Sequence, residues 1–243
     1  MIAKDEEGII GRTLSAIVPY FADVIVLDTG STDRTVSICR ELGARVVESP
    51  WLGYGKTRNL GASHALNHWI LSLDADEVPD ERLLDHLLSL HPEEGRLYAI
   101  QLITYFGNKP LRHGEFARGP INRLYDRRRV SWSEAIVHES LPFSRDRIIL
   151  PGIVHHYSFR DEADLWQKTV TYAKLGARNY LKKQKKMSML KMLTYPLFRF
   201  VWIYFYRVGF LDGKEGLLVA KNSAKYTFLK YYFLIRMQRC LEV

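Results

Sequence analysis

The sequence has few cysteines and no apolar leader, and each shortage excludes a class of protein. Cys39 and Cys240 are the only cysteines, and they lie far apart and outside any CxxC or Cys/His cluster. The sequence therefore predicts neither a disulfide framework nor a zinc site. The start, MIAKDEEGII, turns acidic within five residues and lacks the basic and apolar stretches of a signal peptide. We expect a reducing, cytoplasmic setting.

The sequence also lacks an apolar run long enough for a helix to cross a membrane. The most apolar stretch, YPLFRFVWIYFYRVGF, is interrupted by Arg199 and Arg207 and contains Pro196 near its start. A helix needs roughly 20 predominantly apolar residues to cross a bilayer, and proline interrupts a helix. The sequence therefore predicts no transmembrane helix in this stretch.

Acidic residues are scarce in the C-terminal quarter. Residues 182–243 contain 13 Lys and Arg but 3 Asp and Glu, so the formal net charge of +8 comes from this tail. Its cations alternate with rings in YPLFRFVWIYFYRVGF and YTFLKYYFLIRM, a mixture that suits an anionic membrane surface better than nucleic acid. The alternative is a pair of helices packed on the rest of the protein, with their lysines in solvent.

Short strands and helices alternate over the first 76 residues. The segments DVIVLD (23–28), ARVVES (44–49) and WILSLDAD (69–76) predict strands, and RTVSICRELG (34–43) and KTRNLGASHALN (56–67) predict helices. This alternation is typical of a parallel α/β sheet, whose ligands gather at the carboxyl ends of the strands. Asp28 and Asp74 lie at two such ends.

The pattern changes beyond Pro79. DERLLDHLLSL (80–90) predicts a helix, the Gly-, Arg- and aromatic-rich segments after it predict hairpins and loops, and the chain from Asp161 predicts helices broken at DGKEG (212–216). A chain of 243 residues, 47% hydrophobic, is long enough for one main domain with appended elements. We predict an α/β domain over residues 1–160 and a helical extension over residues 161–243. Only MIA precedes KDEEG, which predicts a short first strand.

Three carboxylates follow the predicted strand in WILSLDADEVPDE (69–81). Asp74 and Asp76 are one residue apart, and Glu77 comes next. Such a set suits a hard divalent cation, Mg²⁺ or Mn²⁺, that keeps several waters and bridges to phosphates. The cation would neutralise a departing diphosphate. A lone DxD is weak evidence because such patterns are common on solvated turns, so its context decides.

Several segments together resemble family 2 glycosyltransferases with the GT-A fold. They are AKDEEGIIGRTLSAI, VIVLDTGSTDRTVSI, WLGYGKTRNLGA, WILSLDADE, RLYDRR and VHESL. The chain resembles in particular the lipopolysaccharide core glycosyltransferases of the WaaE/KdtX type, and the similarity continues through HHYSFRD and GFLDGKEGLLVA. The resemblance implies a Rossmann-like, mainly parallel α/β sheet flanked by helices. It also implies inverting transfer of glucose from UDP-glucose to a heptose of the lipid-anchored inner core, on the inner face of the bacterial inner membrane.

The same resemblance implies roles for individual residues. The nucleotide sugar is expected to contact Glu6, Asp28, Arg58, Asn59 and Asp74. Asp76 and His156 are expected to contact a divalent cation, which carboxylate and neutral imidazole can both bind. Glu139 in VHES is the candidate base that takes the acceptor hydroxyl proton.

Structural alternatives stand beside these roles. Asp28 could form an ordinary Asx turn, and Arg58 a helix-surface ion pair. Glu134 and Glu115 compete with Glu139, and His155 competes with His156. The family's usual NEE is replaced here by Asp5, Glu6 and Glu7, which exchanges an amide that can donate a hydrogen bond for a carboxylate that cannot.

Three rival functions follow from the same features. A sugar nucleotidyltransferase shares the nucleotide-binding sheet and the acidic site, but AKDEEG lacks its glycine-rich basic loop. A non-catalytic membrane-surface protein with a decayed transferase domain is disfavoured by the intact DAD, TRN and VHE segments. A transferase acting on another lipid-linked or capsular glycan would make equal use of a basic, aromatic tail.

Overall fold

Residues 1–117, 119–133, 140–142, 147–185 and 187–240 are described by the computed structural model. The chain divides into two compact units: Met1–Leu102 with Gly119–His156, and Ile103–Arg118 with Tyr157–Val243. The predicted domains, 1–160 and 161–243, differ from these units mainly in where they put the segment 103–118.

The first unit begins with a small parallel sheet in which β2 lies between β1 and β3. The strands are β1 (Ile2–Ala3), β2 (Ile25–Asp28) and β3 (Arg45–Glu48). The short first strand is thus confirmed. The helices that alternate with them are α1 (Ile10–Ile17), α2 (Thr35–Glu41) and α3 (Tyr54–Ser63). Helix α1 buries Ile10, Leu14 and Ile17 because the spacing of four and three residues places them on one face.

Six further strands form a second, antiparallel sheet. Five follow the order β4-β8-β6-β9-β5, and β7 pairs with β6. The strands are β4 (Trp69–Leu71), β5 (Glu77–Pro79), β6 (Tyr98–Phe106), β7 (Lys109–Leu111), β8 (Ile121–Asp126) and β9 (Ile148–Phe159). The prediction that WILSLDAD continues the parallel sheet is wrong, because β4 pairs antiparallel with β8. Local alternation indicates a strand but not its partner. The α/β fold class is confirmed, with a mixed strand arrangement.

Strand β9 passes close to the beginning of helix α4 (Glu81–Ser89). Asp80 caps α4 by accepting a hydrogen bond from the Leu83 N–H at 2.9 Å. Gly152 on β9 has φ +90°, and a Cβ there would lie 2.6 Å from both the Asp80 carboxylate and the Leu83 nitrogen. Only glycine fits this position. The close passage lets β9 run alongside β5 and carry His156 to that strand.

The part of the second unit from residue 161 onward is helical, as predicted. It contains α5 (Glu162–Lys182), α6 (Met189–Val201), a π-helical turn (Trp202–Tyr206), a 3₁₀ turn (Gly209–Asp212) and α7 (Gly213–Arg239). The expected break at 212–216 coincides with the beginning of α7, and a second interruption separates α5 from α6. A Cβ on Gly216 would overlap the Gly209 carbonyl oxygen, so glycine permits this tight entry into α7. Across the described ranges, no helix is both long and apolar enough to span a bilayer.

Ion pairs explain why the segment 103–118 belongs with the helical tail. Lys109 pairs with Glu215 at 2.8 Å, and Glu115 pairs with Arg199 at 2.5 Å. The carboxylate of Asp212 in the tail accepts a hydrogen bond from the His113 N–H, and its Oδ1 lies 2.7 Å from His113 Nδ1. These residues are separated by 84 or more positions along the chain, so local sequence patterns do not reveal their pairing.

Candidate functional site

Asp28 at the end of β2 forms the turn that the sequence analysis gave as its structural alternative. Its Oδ2 accepts the N–H groups of Gly30 and Ser31, each at 3.0 Å, and the Ser31 hydroxyl donates to Oδ1. The residue is buried. Asp28 therefore organises the backbone of the loop after β2, and contact with a nucleotide stays a prediction.

The segment containing Glu6 is tied to the same loop. The Asp5 carboxylate accepts from the Thr32 N–H at 2.7 Å, and the Glu6 N–H donates to the Thr35 hydroxyl at 2.8 Å. Glu7 accepts from the Arg34 N–H at 3.0 Å. The acid that replaces the family's amide at residue 5 thus has a backbone donor as its partner. Glu6 is the middle residue of this reciprocal contact between two loops.

The side chains of Arg58 and Asn59 on α3 both form hydrogen bonds to other parts of the protein. Arg58 donates to the Ser72 hydroxyl at 3.0 Å and to Asp74 Oδ1 at 2.5 Å, and its guanidinium lies 4.6 Å from the centre of the Trp132 ring. The Asn59 amide donates to the Trp132 carbonyl at 3.0 Å and accepts from its N–H at 2.8 Å. Arg58 is buried, so it is not the surface ion pair of the alternative interpretation. Asn59 fixes the loop that carries Trp132.

Asp74 lies between two arginines. Arg58 contacts its Oδ1 and Arg123 of β8 contacts its Oδ2 at 3.4 Å. Arg123 also pairs with Glu77, whose side chain is fully buried, and Glu77 accepts the Asp74 N–H at 2.9 Å. The Thr13 hydroxyl of α1 donates to the Ala75 carbonyl at 2.6 Å. The DAD loop is therefore held by helices α1 and α3 and by strand β8.

Burial and charge act in opposite directions on this network. Burial alone would raise the pKa of Asp74, but the neighbouring Arg58 and Arg123 outweigh it and hold that pKa well below its usual value. Burial raises the pKa of Glu77, although Arg123 opposes the rise. For Arg123, burial works to lower the pKa, but Glu77 and Asp74 raise it overall. Asp74 therefore stays ionised, with its charge compensated by two guanidinium groups.

Asp76 and His156 form a second, partly exposed pair in the site. His156 Nε2 lies 3.4 Å from Asp76 Oδ2, and the two side chains are 26% and 20% exposed. Burial works to lower the pKa of His156, but the bond and charge of Asp76 outweigh it, so the pKa is raised. Antiparallel pairing of β5 and β9 sets His156 opposite Glu77 and His155 opposite Val78, and successive strand side chains alternate between faces. Of the two histidines, His156 is therefore the one beside Asp76.

The donors at this point fit a divalent cation that takes few protein ligands. Among the residues that the structure describes, no three His, Cys, Asp or Glu side chains come together as a metal cluster. Asp76 and His156 supply one carboxylate oxygen and one imidazole nitrogen. Mg²⁺ sites that act on nucleotides commonly use one or two protein carboxylates, with water and substrate phosphates completing the shell. A cation bound through Asp76 and His156 would therefore depend on its nucleotide for further ligands.

The structure brings four of the eight predicted site residues together. Arg58, Asp74, Asp76 and His156 are connected through one chain of contacts with Arg123 and Glu77. The candidate base Glu139 and its rival Glu134 lie outside the described residues. The other rival, Glu115, accepts hydrogen bonds from Arg199 at 2.5 Å and from the Ser223 hydroxyl at 2.8 Å.

Arg123 and Trp132 are two residues of this site that no sequence motif indicated, and the motif containing Glu77 did not reveal its partner. A signal for Arg123 exists: it lies between Ile121 and Leu124 in a region predicted to form hairpins, and a charged side chain there must find a partner when buried. Its partner could not be read locally, because 46 residues separate Arg123 from Glu77.

The comparison with protein families agrees with this site and fold. Residues 1–165 match the family described as Glycosyl transferase family 2. Since this match spans more than half of the 243 residues, the chain belongs to glycosyl transferase family 2. The family assignment implied by the motifs in the sequence is thus confirmed.

Relatives match over nearly the whole chain. An uncharacterized glycosyltransferase of Rickettsia typhi is 32% identical over 255 residues, covering 98% of this chain and 85% of the relative. The lipopolysaccharide core biosynthesis glycosyltransferase LpsC of Rhizobium meliloti is 25% identical over 244 residues, covering 94% and 88%. The chain is therefore a glycosyltransferase, and its similarity includes the helical tail.

A solved structure matches part of the chain. It is glucosyl-3-phosphoglycerate synthase from Mycobacterium tuberculosis in complex with Mn²⁺, UDP and glucosyl-3-phosphoglycerate. The sequence identity is 26%, the match covers 43% of this chain and 42% of the synthase, and the TM-score is 0.35. A partial likeness at this TM-score carries no weight for the donor or the metal of this chain.

Proposed function

We propose that this glycosyltransferase is an inverting enzyme of the WaaE/KdtX type. It transfers glucose from UDP-glucose to a heptose of the lipid-anchored inner core of lipopolysaccharide. The order of the motifs supports this assignment, as does the 25% identity to LpsC, a relative named for lipopolysaccharide core biosynthesis. The enzyme would act from the cytoplasm, as a peripheral protein on the inner face of the bacterial inner membrane.

One observation carries the donor part of the proposal: the unequal surroundings of the two acids in DAD. Asp74 is compensated by Arg58 and Arg123, whereas Asp76 lies beside the imidazole of His156. Asp76 and His156 would hold Mg²⁺ or Mn²⁺, and the bound cation would supply positive charge to the departing UDP. The clamped Asp74 would present its remaining accepting capacity to the ribose, as the family resemblance implies.

The loops around this point would bind the rest of the nucleotide. Asp28 and Glu6 belong to two interlocked loops next to the carboxyl end of β2, where ligands gather in α/β sheets. Asn59 would act by holding Trp132 in place. Glu139 would take the proton from the acceptor hydroxyl, on the face opposite the leaving group.

The test is transfer from a panel of donors to purified, truncated lipopolysaccharide, with the product mass measured. UDP-glucose is compared with UDP-galactose, UDP-N-acetylglucosamine and GDP-mannose, in the presence of Mg²⁺ or Mn²⁺. We expect a gain of one hexose with UDP-glucose on heptose-terminated acceptors. Transfer to a polyprenyl-linked acceptor but not to lipopolysaccharide would reject the proposed acceptor. An absence of both transfer and UDP-sugar hydrolysis with every donor would favour a non-catalytic protein.

A further inference from the structure

One part of the second unit combines positive charge with a complete lack of acidic residues. Residues 165–211 contain ten Lys and Arg and no Asp or Glu. The stretch covers most of α5, all of α6 and the turns before α7. Lys168 pairs with Asp164 and Arg199 with Glu115, both acids lying outside this stretch. The remaining excess of positive charge is complementary to an anionic surface.

Helix α6 has an apolar face on its outer side. Apolar side chains that are 45–70% exposed occupy this side, and we call them the α6 outer face: Leu190, Leu193, Leu197, Phe198, Val201 and Phe205. At 100° per residue, the five that lie on α6 fall within an arc of about 140°, and Phe205 follows in the π-helical turn. The buried residues Met192 and Ile203 project on the opposite side, toward the rest of the second unit. An ordinary surface helix has the reverse arrangement, with its polar side outward.

The remaining rings continue this surface. Phe198, Trp202 and Tyr206 stack in a row along the helix, with ring centres 6.2 Å and 4.0 Å apart. Tyr206 is 70% exposed. Trp and Tyr combine an apolar ring with a polar group, which suits them to the boundary between lipid headgroups and acyl chains.

Cations flank the apolar face rather than interrupt it. Lys182 and Lys183 precede the helix, Lys191 lies in its first turn, and Arg207 follows the π-helical turn; all four are exposed. Arg199 points away from the α6 outer face and pairs with Glu115. Apolar side chains bordered by cations form the pattern of a helix that lies in the plane of an anionic membrane surface.

The last helix does not share this pattern. Tyr231 and Leu234 of α7 are buried, and Tyr231 packs edge-on against Tyr195 at 5.8 Å between ring centres. The Lys230 ammonium lies over the rings of Tyr180 and Tyr231. Tyr231 of α7 is therefore engaged within the second unit together with Tyr195 of α6, whereas Phe198, Phe205 and Tyr206 are 57–70% exposed.

We propose that the α6 outer face docks on the surface of a bilayer that contains anionic lipid, with α6 lying in the interface and not crossing it. An apolar patch of this kind on a protein surface marks an interaction site, and the unbalanced positive charge around it selects an anionic bilayer. The inference adds a lipid partner to the proposed function and rests on it only for the lipid anchor of the acceptor.

The experiment is sedimentation of the full chain with vesicles of neutral lipid, or of the same lipid with anionic lipid added, without donor or acceptor. Leu190→Ser/Leu197→Ser removes two exposed leucines of the docking face, and Leu66→Ser/Leu88→Ser is its matched control in the first unit. Lys182→Gln/Lys183→Gln removes two flanking charges, and Lys221→Gln/Lys225→Gln is the control on α7.

Wild type should bind anionic vesicles more strongly than neutral ones. The Leu190/Leu197 variant should lower the partition coefficient on anionic vesicles by about 100-fold. The Lys182/Lys183 variant should lower it by about 30-fold on anionic vesicles and have little effect on neutral ones. Both control variants should bind like wild type. High salt should weaken binding without abolishing it, because screening reduces the charge term alone.

Several results would overturn the inference. They are indifference of wild type to lipid charge, equal binding by the two leucine variants, and insertion that resists carbonate washing. A dimer that dissociates in the Leu190/Leu197 variant would instead make this face a contact between two copies of the chain. Vesicle binding needs no sugar transfer, so a failure of the proposed donor or acceptor leaves this result intact, and the converse also holds.

Discussion

Glu77 and Arg123 form a buried ion pair whose stability effect can be compared with that of an exposed pair in the same protein. The Glu77 and Arg123 side chains are 0% and 6% exposed, whereas those of Glu94 and Arg129, the matched pair, are 61% and 60% exposed. Both pairs join a glutamate and an arginine in direct contact. The variants Glu77→Gln and Glu94→Gln therefore make the same chemical change at two levels of burial.

The expected losses in the free energy of unfolding differ because water can replace the lost partner at the exposed pair but not at the buried pair. Glu77→Gln leaves the buried Arg123 with a carboxylate at 3.4 Å as its remaining charged partner, and breaking a buried pair typically costs about 3–5 kcal/mol in the free energy of unfolding. Glu94→Gln should cost about 0–1 kcal/mol, since exposed pairs contribute little. For a chain of this size, the loss in Glu77→Gln corresponds to a fall in Tm of about 6–20 °C, and the loss in Glu94→Gln to a fall of no more than about 4 °C.

Thermal denaturation and urea midpoints of the two variants measure this difference. Hydrogen exchange at the Asp74 amide gives a local check, because that N–H donates to Glu77 and should exchange faster in Glu77→Gln. The double variant Glu77→Leu/Arg123→Met should recover at least about 2 kcal/mol relative to Glu77→Gln, since no uncompensated buried charge remains. Equal, small losses in both single variants would refute the reasoning, because water would then reach the buried pair.

Three further predictions concern catalysis and thiol chemistry. Asp76→Asn should lose most transfer activity with Tm unchanged, and so should wild type in excess chelator. The control Asp85→Asn, at an exposed position, should keep its transfer activity. Full wild-type activity in chelator would contradict this prediction. Glu139→Gln should keep UDP-sugar binding by calorimetry and lower transfer about 10²–10⁴-fold, unless Glu134→Gln is the inactive variant instead. Burial raises the pKa of Cys39 to about 11, so at pH 8 a thiol reagent should modify the exposed Cys240 alone, and both cysteines after unfolding in urea.

Features set by neighbours in sequence were predicted correctly. The helices predicted over 34–43 and 80–90 and the short first strand all depend on a few adjacent residues, and each appears in the structure, the helices as α2 and α4. The helical nature of the tail followed in the same way. Local propensity and capping are sufficient for the helices, because their hydrogen bonds close within four residues. The first strand pairs with the distant β2, and only its short length could be predicted locally.

Features set by distant partners were missed. The strand WILSLDAD was predicted, but its antiparallel partner β8 begins 50 residues later. Arg123 belongs to that same strand, so an error in strand pairing also concealed the partner of Glu77 and Asp74. The ion pairs between the segment 103–118 and the tail span even longer separations. In each case a charged residue indicated that a partner exists, and the tertiary fold decided which one.

The DAD motif shows how this limit applies to a candidate site. In the sequence, Asp74 and Asp76 are two identical residues of one motif. In the structure, two guanidinium groups surround Asp74, and an imidazole lies beside Asp76. A carboxylate already compensated by two cations offers little net negative charge to a third, because like charges repel strongly where water is scarce. A cation at this point would therefore be drawn to Asp76 and His156. That division of roles depends on Arg58 and Arg123, which lie 16 and 49 residues away from Asp74 along the chain.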